Sequence, residues 1–173
     1  EPDHSASIQF IRQKYPQMTI VGNIKTLEMV KGYYGIDDNT LCIKNGESLS
    51  IGKRTLTFHL TPMVHWPETM MTYVNEDKLI FSGDAFGCFG SFPSPLTPPP
   101  FPPHPSSPPL LPYSSPLLPH SPPAVPTALN LLSPLQIPPL CSPPLPLFPT
   151  SLPPLIALSH RLSRYQPPPA VLL

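Results

Sequence analysis

The sequence predicts an α+β domain followed by a proline-rich tail, and three observations carry that expectation. Segments of helical period are interleaved with short apolar runs in the order helix, strand, helix and then several strands. Residues 54–60 alternate apolar and polar side chains, the period of a half-buried strand. Proline then changes abundance abruptly, with four in residues 1–92 and 28 in the 81 residues of 93–173. The expected division is a mixed unit with much antiparallel pairing over residues 1–91, and a disordered or polyproline-like segment over residues 92–173.

Ser5 to Tyr15 reads as a helix, because Ile8, Ile11 and Tyr15 recur at three and four residues and Pro16 stops it. Met18 to Gly22 is a short apolar run suited to a buried strand. Ile24 to Tyr34 is a second helix, with Leu27, Val30 and Tyr34 on one face and Gly35 just past its end. Residues 40–43 and 48–51 look like strands separated by the Lys44-Asn45-Gly46 turn. In 54–60, Leu56, Phe58 and Leu60 face one way while Thr55, Thr57 and His59 face the other, which leaves His59 solvated. Met70 to Val74 and Leu79 to Phe81 form a hairpin across residues 75–78.

Beyond Pro93 about one residue in three is proline, too many for helix or sheet ladders to persist. Two readings compete there. Pro-x-x-Pro spacings such as Pro95 to Pro98 would suit aromatic-lined recognition domains and make this an interaction protein. Against that, Arg161 and Arg164 are the only charges in the tail, and Pro, Leu, Ser and Phe make up 59 of its 81 residues. Codons for these four are rich in pyrimidines, so a pyrimidine tract read in an arbitrary frame gives the same composition. The favoured expectation is a frameshift or intron translation beginning near Cys88 to Phe92.

Charge divides the same way. All ten acidic residues lie in the first part with eight of the ten Lys and Arg, so neither part is basic enough to argue for nucleic acid. Cys42, Cys88 and Cys141 are too few and too scattered for a disulfide framework or a metal knuckle, which favours a reducing, cytoplasmic setting. No apolar run is long enough to span a membrane. The chain opens inside what reads as a motif, so a truncated product is expected.

Three polar clusters could carry chemistry. In Glu1-Pro2-Asp3-His4, proline biases Glu1 toward extended backbone, and on an extended segment Glu1 and Asp3 share a side with His4 beside them. Two packed carboxylates repel unless a cation lies between them, although Asp and His before a helix also serve as plain caps. In Pro62-Met63-Val64-His65-Trp66-Pro67-Glu68, His65 falls in a loop at a strand end, where sites are commonly built. In Ser82-Gly83-Asp84-Ala85-Phe86-Gly87, an apolar strand ends in Gly-Asp, which suits either a turn or a ligand. Cys88 has no evident partner and reads as a buried thiol.

Together these clusters resemble the flavodiiron proteins, the A-type flavoproteins that include rubredoxin:oxygen oxidoreductase. The resemblance runs from Glu1 to about Gly90 and includes Gly52-Lys53-Arg54-Thr55-Leu56 and His65-Trp66-Pro67. It implies part of a metallo-β-lactamase-like αββα sandwich with two non-haem irons at its strand ends. Glu1 and His65 would ligate one iron, Asp3 and His4 the other, and Asp84 would bridge. The family's opening His would lie before Glu1. Its closing His should fall within the tail, where His120 and His160 lack family context. The family's FMN belongs to a separate flavodoxin-like domain absent from these residues. A rubredoxin-type electron donor, a homodimer partner, and O2 or NO as substrate are implied likewise. Zinc hydrolases of the same fold are the alternative. They usually place a second His where Glu1 stands, whereas a carboxylate makes a harder site suited to iron. The chain as written is expected to be inactive, with five of the seven family ligands and no flavin domain.

Overall fold

The computed structural model describes residues 1–85, 124–135 and 140–141. Its first elements are a single helical turn α1 (Pro2–Ser5) and a helix α2 (Ser7–Lys14). Glu1 is the N-cap of α1 and Pro2 occupies the first helical position, where its missing N–H removes nothing from the helix. This corrects the extended reading of residues 1–4. Glu1 keeps the extended bias of a residue before proline, but the turn begins directly after it. On a helical path, residues two apart point away from each other and residues three apart share a face. Glu1 and His4 therefore lie together, while Asp3 turns outward with its side chain 72% exposed. Ser5 Oγ donates to the Glu1 carbonyl at 2.7 Å and meets the Tyr34 hydroxyl at 2.7 Å, which ties this turn to the next helix.

A βαβ unit follows: β1 (Ile20–Gly22), α3 (Ile24–Tyr34) and β2 (Thr40–Cys42), with β1 and β2 paired in parallel from Ile20↔Thr40 to Gly22↔Cys42. Both ends of α3 are closed by local chemistry. The Asn23 side chain accepts from the Lys25 and Thr26 amides at the N-terminus. Gly35, at φ 67°, turns the chain away at the C-terminus and donates its N–H to the Lys31 carbonyl. Gly22 is set by packing: a Cβ there would meet Thr26 Cγ2 at 2.8 Å and Thr26 Cβ at 3.0 Å.

The second sheet has the order β3 (Ser48–Ser50), β4 (Thr55–Leu60), β5 (Met70–Val74), β6 (Leu79–Phe81) and β7 (Leu140–Cys141). The first four run antiparallel in sequence order, and β7 joins β6 in parallel. The strands either side of Lys44-Asn45-Gly46 thus belong to different sheets, and that turn carries the chain from one to the other. Phe58, Met71, Tyr73, Val74 and Ile80 are buried from this sheet. Their burial supplies the apolar driving force of the fold.

His59 departs from its expected solvated state. It is part-buried, its Nε2 has no hydrogen-bond partner, and burial holds its pKa below the usual histidine value.

The proline argument also fails locally. A helix α4 (Ala124–Leu132) buries Val125, Ala128, Leu129 and Leu132. Their spacing of three, four and seven residues is that of one helical face. Pro126 sits in the first turn, where proline is tolerated, and no proline follows until Pro134. The remainder of the tail, with Cys88, His120 and His160, lies outside the described residues.

Candidate metal centre

At one end of the second sheet, the chain leaving β4 loops through residues 61–69 before entering β5, and the chain leaving β6 turns at Gly83 (φ 57°) into Asp84. The first loop is closed on itself. Thr61 N–H donates to the Thr69 carbonyl at 3.0 Å, Met63 N–H to the Trp66 carbonyl at 2.7 Å, and Thr69 Oγ1 to the Trp66 carbonyl at 2.8 Å. His65 projects from it. The fully buried Ser82 shapes the second turn by donating its hydroxyl to the Ala85 carbonyl at 2.9 Å.

Four of the five candidate residues converge. His65 Nε2 lies 3.0 Å from Glu1 Oε1 and 3.3 Å from Asp84 Oδ2, and His4 Nε2 lies 3.2 Å from Asp84 Oδ1. Donor atoms of Glu1, His4 and Asp84 all fall within 4.8 Å of one another. Asp3 reaches only the rim, its Oδ2 3.6 Å from His4 Nε2. The cavity between these side chains measures about 170 Å³, with Trp66 and Glu68 completing the wall.

The electrostatics suit a cation. Burial pushes the Glu1 carboxyl above its ordinary value. His65 opposes that rise, and the neighbouring carboxylates of Asp84 and Asp3 add to it. Asp84 Oδ1 is buried without a hydrogen-bond partner, although it lies 3.2 Å from His4 Nε2. Glu68 Oε2 is likewise buried and unpartnered. Buried polar atoms normally find partners, so these two orphaned carboxylate oxygens, the Asp84 one 3.2 Å from the His4 imidazole, belong to a donor set that a metal ion would satisfy. Mixed imidazole and carboxylate donors fit iron and zinc alike, with more carboxylate favouring the harder ion.

Glu68 and Asn23 were not singled out in the sequence. Glu68 stands three residues after His65, and its Oε1 lies 3.6 Å from the Glu1 main-chain nitrogen. Asn23 is 6% exposed and donates Nδ2 to the Glu68 carbonyl at 2.7 Å. An Asn directly before a helical run marks a cap from sequence, but the loop that its other amide atom holds is 45 residues away.

Residues 1–96 match the model of the ODP family beta lactamase. A nitric oxide reductase from Moorella thermoacetica is 40% identical over 88 residues, covering 50% of this chain and 22% of that protein. Among solved structures, rubredoxin oxygen:oxidoreductase from Desulfovibrio gigas superposes with a TM-score of 0.78 at 20% identity, covering 96% of this chain and 42% of that one. A variant of the flavo di-iron protein from Thermotoga maritima gives a TM-score of 0.73 at 24% identity, covering 88% of this chain and 38% of that one. These structural likenesses establish the metallo-β-lactamase-like fold. The chain spans about a fifth of the length of the curated relatives it matches. No helix among the described residues is long and apolar enough to cross a membrane. With the family model covering more than half of its residues, the chain belongs to the ODP family of beta-lactamase-like domains and is a relative of the flavodiiron oxidoreductases.

Proposed function

We propose that residues 1–91 are the metal-binding part of a flavodiiron oxidoreductase that reduces O2 to water, NO to N2O, or both. The observation that carries this reading is the convergence of Glu1, His4, His65 and Asp84 on one cavity, in whose lining Asp84 and Glu68 each bury a carboxylate oxygen without a hydrogen-bond partner. Glu1 and His65 would hold one iron and His4 and Asp3 the other, with Asp84 shared between them. For Asp3 the support is the family motif and its neighbour His4, since its carboxylate faces outward. Bound there, two non-haem irons would supply the electrons that O2 or NO accepts.

The chain's own residues contribute placement and charge. His65 and His4 hold Asp84 between them, and the part-buried wall of Trp66 limits water at one side of the cavity. Electrons would come from a rubredoxin-type donor through FMN bound by a separate domain. The family resemblance makes a homodimer the expected form, and the few scattered cysteines favour the cytoplasm as the compartment. These 173 residues alone are expected to bind iron weakly and without turnover. Residues 92–173, although β7 joins the larger sheet and α4 buries an apolar face, are read as translation of a pyrimidine-rich tract rather than a second functional unit, which the intact mass of native protein would check.

Anaerobic Fe(II) titration of the full chain tests the metal reading: weak uptake approaching two ions per chain, without O2 or NO turnover, is expected. Uptake of Zn(II) in preference to Fe(II), with thioester or lactam hydrolysis, would support the hydrolase alternative instead.

A further inference from the structure

We propose that Asn23 is a positioning residue for the metal centre, a tether that fixes the His65 loop through the Glu68 main chain. The inference rests on the metal reading for its purpose but on separate geometry for its substance. One amide group performs two tasks. Its oxygen accepts from the Lys25 amide at 3.0 Å and the Thr26 amide at 3.1 Å, which caps α3. Its nitrogen donates to the Glu68 carbonyl at 2.7 Å, and Thr26 Oγ1 approaches the same carbonyl at 3.5 Å. The cap needs only an acceptor, and Asp or Ser would provide one equally well. A side chain with both an acceptor and a donor is required only because the loop must also be held.

The loop needs an outside anchor because its own hydrogen bonds run largely between its own residues 61–69. Such a ring can move as a unit about its two ends. The Asn23 contact closes it against the βαβ unit three residues beyond His65. The same residue's carboxylate reaches toward Glu1, 3.6 Å from its main-chain nitrogen. A shift of the loop would therefore move His65 away from Glu1 and Asp84 together, the two groups it now contacts at 3.0 and 3.3 Å. Supporting contacts of this kind commonly change metal affinity by about 10- to 100-fold when lost.

Asn23→Asp is the decisive variant, because it keeps the cap and removes the donor. Two measurements on the full chain separate the outcomes. Hydrogen exchange should speed up for the amides of residues 63–69 and stay unchanged within α3. Anaerobic Co(II) titration should show affinity about tenfold lower, with altered d–d band intensities that report a changed coordination geometry. Val30→Ala, which removes buried apolar volume from α3 without touching the tether, should lower the melting midpoint yet leave loop exchange and the Co(II) spectrum as they were. Wild-type exchange in the Asn23→Asp loop overturns the proposal, as does wild-type Co(II) affinity and spectrum. A wild-type chain that takes up no Co(II) overturns the metal reading instead, and loop exchange then decides the tether alone.

Discussion

The two ends of the larger sheet treat their carboxylates in opposite ways. At the β5–β6 hairpin end, Asp77 pairs with the Arg54 guanidinium and Glu76 accepts the Thr55 amide at 2.7 Å. That hydrogen bond lowers the Glu76 pKa. Both carboxylates there are exposed and answered. At the other end, Glu1, Glu68 and Asp84 are gathered away from water with histidines as their cationic or neutral neighbours, and two oxygens have no hydrogen-bond partner. A fold bears such a concentration of buried anions when it serves a ligand, since burial without pairing costs free energy. The difference marks one end as structural and the other as a site.

The largest effects should come from removing a converging side chain. His65→Ala or Asp84→Ala should weaken Co(II) or Fe(II) binding by more than the about 100-fold upper range of supporting contacts. The same variants should abolish the stabilisation that metal gives the wild type, about 2.7 kcal/mol at a hundredfold excess over Kd. Thermal melts with and without metal measure both, and an equal metal-induced shift in wild type and variants would erase the distinction between the two ends.

Gly22→Ala comes next. Its Cβ would press on both Cβ and Cγ2 of Thr26 at the start of α3, so a loss of about 1–3 kcal/mol in denaturant unfolding is expected.

His59 gives a smaller, pH-dependent effect. Its folded pKa lies below the unfolded value, so the unfolded chain binds its proton first. The stability from keeping it neutral is complete above the ordinary histidine pKa of about 6.5 and is lost as pH falls through the folded value. Unfolding midpoints between pH 8 and 5 should therefore decline on the acid side, and His59→Leu should flatten that part of the slope.

Arg54→Ala should do least. The pair with Asp77 is exposed, and the melting midpoint should hardly move, with any difference vanishing in high salt. A large loss there would mean that the hairpin end is not the inert reference it is taken to be.

What the sequence disclosed depended on how local the cause was. Strand β4 was readable from its alternation, and α3 from its apolar face and Gly35, because these patterns act within one segment. Strand pairing was less accessible: the strands at residues 40 and 48 look alike in sequence, yet one joins β1 and the other β4. Helix α4 was hidden by averaging proline over the whole tail, when the seven residues between Pro126 and Pro134 have none. In the site, His65 and Asp84 were legible because strand ends announce themselves through Pro and Gly. Asp3 was drawn inward by assuming extended backbone, and the helical turn put it outside. Glu68 and Asn23 could not be found as a pair, since their bond joins segments with no shared periodicity.

Trp66 is the chain's single tryptophan, and it lies in the wall of the cavity next to His65. The chain thus carries one indole fluorophore, stationed at the place whose occupancy matters. Its emission needs no correction for other indoles and should be quenched when a paramagnetic ion enters. Steady-state and stopped-flow fluorescence can then follow loading and release at that centre directly, with no label attached.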